Sequence, residues 1–143
     1  MKIGIIGIGS MGSIIGRALL DKGYDLILSK RGKNLKDFDQ DKVEILSNID
    51  LAKKADYIIL AVKPHIYPKV IGEIKDYIED QVIISIAAGQ SLAGLSKMLG
   101  HKKIVMTMPN TPAKASSAMS AICPNEHVSK EEVDQVVKIF ESF

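Results

Sequence analysis

The first dozen residues constrain this chain more than any other stretch. An apolar run, Ile3, Ile5 and Ile6, leads into Gly7-Ile8-Gly9-Ser10-Met11-Gly12, and an amphipathic helical pattern follows at once. A strand that stops at Gly7 can turn tightly there, Gly9 lets the backbone approach a diphosphate, and Gly12 lets the next helix pack close to the strand. The free N–H groups and the positive dipole end of that helix then face the anion. Glycine-rich turns arise by chance. Placement between a buried-strand pattern and a helix is what makes this one a predicted nucleotide-phosphate socket.

The rest of the chain continues in kind. Short β-rich runs are read at Lys2 to Ile6, Asp25 to Ser29, Val43 to Leu46, Tyr57 to Val62, Val82 to Ala87 and Lys103 to Thr107, alternating with helical patterns. Their near-continuous apolar character fits strands covered on both faces, and the alternation predicts strand-helix-strand units. The fold class expected is α/β: a Rossmann-type, doubly wound, mainly parallel sheet, with an added edge strand near Ala118 to Cys123. The first helix is read with Met11, Ile14, Ile15, Ala18 and Leu19 on its buried face and Gly23 as a left-handed stop. A second follows Pro64, with Tyr67, Val70, Ile71, Ile74, Tyr77 and Ile78 at helical spacing. A third runs from Ser91 to Gly100. A fourth opens with Ser129 and Glu132 in capping-box spacing and buries Val133, Val136, Val137, Phe140 and Phe143. The charged stretch from Lys30 to Lys42 reads as a long loop.

At 143 residues, with 46% hydrophobic and 25% charged residues, the chain is sized for one globular domain. A net charge of +2 gives no footprint for a nucleic-acid partner. No apolar run reaches the roughly 18 residues of a membrane-spanning helix, and a strand rather than a signal peptide opens the chain, so the cytoplasm is the expected compartment. Cys123 is the only cysteine, which excludes an internal disulfide and leaves no obvious zinc site. It reads as a buried structural thiol. His65, His101 and His127 show no triad or ligand spacing and read as surface or capping residues.

The tip of the second strand decides which nucleotide fits. An acidic residue there would bond both ribose hydroxyls of NAD. The tip instead reads Ser29-Lys30-Arg31, with Lys33 and Lys36 beyond. A hydroxyl beside a guanidinium fork suits a 2′-phosphate, so NADP(H) is expected over NAD(H). Solvation of a loop is the competing reading for the lysines.

Two later segments are less generic. One is Ala55 to Pro64, a buried strand running through Ala61-Val62-Lys63-Pro64 into a helix start. The other is Val105 to Ala113, a strand ending in the proline-bracketed turn Met108-Pro109-Asn110-Thr111-Pro112. Each lies where a parallel strand ends, the ligand side of open α/β sheets. The two prolines restrict the backbone of Asn110 and Thr111, so the turn can present donors at little entropic cost. With the opening glycines and Ser85-Ile86-Ala87-Ala88-Gly89, these segments resemble the N-terminal domain of pyrroline-5-carboxylate reductase over essentially the whole chain.

That resemblance implies hydride transfer from NAD(P)H to the carbon of a cyclic imine, the last step of proline synthesis. It implies cofactor contacts from Ile6 to Met11, Ser29, Asn48, Ala61 to Pro64 and the Ala87 turn, and a nicotinamide and substrate pocket shaped by Met108, Pro109, Asn110 and Thr111. Asn48 has an equal alternative as a helix N-cap before Ile49 to Lys54. Lys63 is assigned no catalytic role, and no catalytic or metal-binding residue is named in this chain. The family's imine-assisting residue lies in a helical C-terminal domain that also forms the dimer. Here the sequence stops after its last helix, so a chain without that domain is expected, binding dinucleotide but not turning over the imine. Met106 stands where the family carries arginine, and Ser116, Ser117 and Ala118 where it places glycine. The alternatives are another Rossmann oxidoreductase, β-hydroxyacid or coenzyme F420-linked, and a non-catalytic nucleotide sensor.

Overall fold

Seven apolar runs pair as strands in a computed structural model that describes residues 1–31, 35–87, 89–100, 102–109 and 119–142. They are β1 (Lys2–Ile6), β2 (Asp25–Ser29), β3 (Val43–Leu46), β4 (Tyr57–Leu60), β5 (Val82–Ser85), β6 (Lys103–Pro109) and β7 (Met119–Pro124). Their order across the sheet is β3-β2-β1-β4-β5-β6-β7, all neighbours parallel except the antiparallel β6 and β7. The reversal of winding at β1 and β4 opens a crevice at the carboxyl ends of the strands. This is the doubly wound sheet expected, with its added edge strand.

Among the described residues, five helices cover the sheet: α1 (Ser10–Asp21), α2 (Asn48–Lys54), α3 (Tyr67–Ile74), α4 (Leu92–Leu99) and α5 (Lys130–Phe140). Because side chains alternate along a strand, each strand feeds two cores. Ile3, Ile5, Ile59, Ile84 and Val105 pack with Ile15 and Leu19 of α1 and Val136, Ile139 and Phe140 of α5. Ile6, Ile58, Leu60, Ile83 and Ile104 pack with residues of α2, α3 and α4 on the other face. Full burial of one such side chain is worth about 1.5–3 kcal/mol.

Several boundaries differ from the sequence reading. The strands β4 and β5 end at Leu60 and Ser85, and the residues that follow, Ala61 to Pro64 and Ile86 to Ala87, line a cavity at the strand ends. β6 continues through Met108 to Pro109 because β7 pairs with it beyond the last β5 contact at Met106. Pro109, expected in the turn, is thus a strand end beside a register shift, a position that tolerates the missing N–H. Met11 and Ile14 are not in the buried face of α1: they are 51% and 54% exposed. The buried stripe is Gly12, Ser13, Ile15, Gly16 and Leu19, since the two glycines let the helix settle onto the sheet. The Lys30 to Lys42 loop carries a 3₁₀ turn (Leu35–Asp37) and buries Phe38 against Gly16.

After Pro64, a 3₁₀ turn (Pro64–Ile66) precedes α3 and another (Lys75–Tyr77) follows it, which leaves Tyr77 exposed with the Lys53 ammonium over its ring. Gly23 and Gly100 have the positive φ that ends α1 and α4. Cys123 is half-buried rather than buried. His65 is exposed, and the exposed His127 lies beside Glu126. Lys33, His101, Ala118 and Phe143 lie outside the described residues.

Candidate functional site

The carboxyl ends of β1, β2, β4 and β5 converge on one rim, and the opening glycines shape its centre. Gly7 has φ +100°, and a Cβ there would stand 2.7 Å from the Ala61 carbonyl, so the first turn needs glycine on both counts. A Cβ on Gly12 would run into the Gly7 carbonyl oxygen, so only glycine lets α1 start this close to the turn. Gly9 behaves differently: a Cβ there meets nothing within 4 Å. The protein leaves that space open, above the backbone where a phosphate would lie.

Helix α1 also lacks a side-chain cap, as does α3, but α3 continues directly from the Pro64–Ile66 turn whereas α1 starts from the glycine turn. Ser47, Ser91 and Ser129 cap α2, α4 and α5, each hydroxyl accepting from the amide three residues on. Gly9 caps α1 without a side-chain bond, and no acidic residue sits in its first turn. The leading amides of α1 are therefore left for an anion, with the dipole in support. Beside them opens a cavity of about 300 Å³ lined by Gly9, Ser10, Met11, Ala61, Val62, Lys63, Pro64, Ile86 and Ala87. The exposed Met11 thus has a place on its wall. Lys63 meets the next turn through its backbone, its carbonyl accepting from the Ile66 amide at 2.9 Å, while its side chain is exposed.

Buried hydroxyls fix the floor. The Tyr67 hydroxyl donates to the Leu60 carbonyl at 3.1 Å and lies 2.9 Å from Ser85 Oγ, and Thr107 Oγ1 donates to the Ser85 carbonyl at 3.0 Å. The ends of β4, β5 and β6 are tied together by these bonds. Burial pushes the Tyr67 phenol above its ordinary value, so it stays protonated and able to donate. Tyr67 reads from sequence only as a core aromatic.

At the β2 tip, Ser29 is buried and its hydroxyl donates to Asn48 Oδ1 at 2.6 Å, while the Arg31 amide donates to Ser29 Oγ at 3.4 Å. Asn48 is the first residue of α2, and Ser47 is its cap; this excludes the capping role for Asn48. The Lys30 amide is committed to the Leu46 carbonyl, and its side chain is exposed. The strand tip itself carries no carboxylate, as its sequence reads, but one reaches it from elsewhere in the chain. Glu73 of α3 forms an ion pair with the Arg31 guanidinium and accepts from Asn48 Nδ2 at 3.4 Å. The bond from Arg31 holds the Glu73 carboxyl below its usual range. No local pattern marks Glu73, since its partner lies 42 residues away in the chain.

Met108 and Pro109 extend β6 along the rim past the end of β5, whereas Asn110 and Thr111 lie outside the described residues. A larger hollow, about 560 Å³, opens at the amino ends of the strands. Its wall mixes Lys53, Lys54 and Lys103 with Asp56, Glu79, Asp80 and Glu132, and Lys103 pairs with Glu132 at 2.9 Å. It has no free helix start and no glycine turn, so size does not make it the better site.

The observed set suits a dinucleotide: an open phosphate seat at Gly9, uncapped amides, the cavity wall from Ala61 to Pro64, and a hydroxyl, amide and guanidinium at the ribose end. Comparison with known proteins agrees. Residues 2–89 match the family described as NADP oxidoreductase, coenzyme F420-dependent. The pyrroline-5-carboxylate reductase of Escherichia coli K12 is 37% identical over 99% of this chain and 56% of its own length. The pyrroline carboxylate reductase of Plasmodium falciparum, solved with NADP bound, superposes with a TM-score of 0.81 at 31% identity, over 99% of this chain and 54% of that one. The 1-pyrroline-5-carboxylate reductase of Streptococcus pyogenes gives 0.82 at 34% identity, over 99% and 55%. The chain spans about half the length of the curated relatives it matches.

Proposed function

The chain belongs to the NADP oxidoreductase, coenzyme F420-dependent family, and from that premise we propose that it is the cofactor-binding portion of an NADPH-dependent pyrroline-5-carboxylate reductase. The product of that reaction is L-proline. The likeness that carries this reading is the one to the reductase from Escherichia coli, because it extends over 99% of this chain rather than over the glycine turn alone. The same reading sets the reaction in the cytoplasm and the dimer interface in a helical C-terminal half.

Bound NADPH supplies the hydride, and this chain's residues bind and aim the cofactor. The Gly7 to Gly12 turn and the first amides of α1 take the diphosphate. Ser29, Lys30, Arg31 and Asn48 take the adenosine ribose and its 2′-phosphate, which favours NADP(H) over NAD(H). Ala61, Val62, Lys63, Pro64 and Ala87 line the path of the nicotinamide half. Met108, Pro109, Asn110 and Thr111 shape the substrate side. No proton donor to the imine nitrogen is assigned within this chain.

The test is NADPH oxidation with 1-pyrroline-5-carboxylate by a polypeptide joining this chain to such a C-terminal half, with a β-hydroxyacid and NADP⁺ as the comparison. Imine-dependent oxidation is expected there, with dinucleotide binding but no turnover by the 143-residue chain alone. Turnover of the hydroxyacid instead would move the assignment to another oxidoreductase of this fold. Tight NADPH binding with no turnover of either compound would make the protein a nucleotide sensor.

A further inference from the structure

One group at the ribose end is left unassigned by the cofactor reading. Glu73 stands on α3, far in sequence from both the glycine turn and the β2 tip, yet it pairs with Arg31 and holds Asn48, which in turn holds Ser29. Three residues read as ribose contacts are therefore joined to a carboxylate. The Arg31 side chain is 53% exposed and that of Glu73 27%, so the pair sits at the open edge of the site. A guanidinium fork bonds carboxylate and phosphate oxygens through the same N–H donors.

We propose that Glu73 is a specificity-determining residue: it is the resident anion of Arg31, for which a 2′-phosphate must exchange, while a dinucleotide with a free 2′-hydroxyl leaves the pair intact. The inference rests on the NADP reading above and adds the residue that sets how strongly the phosphate is chosen. Glu73 lowers the preference for the phosphorylated cofactor by competing for its partner. Replacing the carboxylate by an amide keeps an acceptor for Asn48 and removes the competing charge. A partly exposed ion pair is weak, so the gain in phosphate affinity should be about twofold to fivefold.

The experiment is calorimetric titration of the protein, of Glu73→Gln, of Arg31→Ala and of the double variant with adenosine 2′,5′-bisphosphate and with adenosine 5′-monophosphate. Glu73→Gln should tighten the bisphosphate by about twofold to fivefold and leave the monophosphate unchanged, and the effect should vanish once Arg31 is alanine. Unchanged or weaker bisphosphate binding in Glu73→Gln would overturn the inference, as would an equal gain in the absence of Arg31. Both leave the NADP reading standing if the unaltered protein still prefers the bisphosphate. Equal binding of the two probes by the unaltered protein, indifferent to Arg31, would overturn that reading and the inference with it.

Discussion

Gly9 and Gly12 sit three residues apart in one turn and make opposite demands. Gly12 faces its own backbone, where an added methyl collides with the Gly7 carbonyl, and Gly9 faces open space. Gly12→Ala should therefore cost about 3 kcal/mol of stability, the upper range for overpacking, because a backbone atom cannot swing aside. Gly9→Ala should cost no more than about 1 kcal/mol, the difference between glycine and alanine at an N-cap, yet abolish dinucleotide binding by filling the phosphate seat. Thermal denaturation and an NADPH titration of the two variants check this. Equal stability losses would contradict the division of labour. Arg31→Ala should raise the Kd for NADPH and leave that for NADH almost unchanged; a titration showing equal loss for both would reject Arg31 as the phosphate ligand. The glycine roles and Ser29-Lys30-Arg31 are legible from sequence because each depends on neighbours within a few positions. Glu73 is not, because its meaning comes from a contact between α3 and the β2 tip.

Helix ends show where such reading succeeds and fails. The Ser129 and Glu132 capping box forms in both directions, with Glu132 Oε1 accepting from the Ser129 amide at 2.9 Å and Ser129 Oγ from the Glu132 amide at 3.1 Å. Its signal lies within four residues. Before α2, serine and asparagine stand side by side, and both are good caps. The cap fell to Ser47, which turns Asn48 inward toward Ser29 and Glu73. Ser47→Ala should thus cost about 1 kcal/mol of stability with little change in NADPH affinity. Asn48→Ala should mainly weaken NADPH binding. Equilibrium denaturation and titration of both variants would expose an exchange of these roles. For α1, periodicity alone favoured Met11 and Ile14 as core residues, but small side chains at Gly12 and Gly16 turn the helix so that these two glycines, with Ile15 and Leu19, face the sheet. Apolarity marks a face only where size does not decide which face fits.

Across the molecule, parallel topology and two-faced burial were legible because every central strand is apolar through its length, and the edge strand because its small-residue run follows β6. The β6 extension was not, since it is created by β7. Acid should loosen this architecture at defined points. Burial pushes the Glu132 carboxyl up, but Lys103 together with the amide and hydroxyl of Ser129 outweigh it and hold the group below its ordinary value. Its folded value is thus lower than its unfolded one, so its contribution is present above about pH 4.3 and is lost as pH falls through the folded value. Glu132→Gln should flatten the fall in stability as pH drops below about 4.3, measured by urea denaturation. A parallel pH profile for the variant would assign acid sensitivity elsewhere. The proposed function depends on the rim formed by the Gly7 to Gly12 turn and the strand ends beside it. The most direct measurement is a crystal structure of the protein soaked with NADP⁺. The expected result places the diphosphate over Gly9 at the start of α1 and the 2′-phosphate at Arg31; a diphosphate bound instead in the lysine-lined hollow at the amino ends of the strands would contradict it.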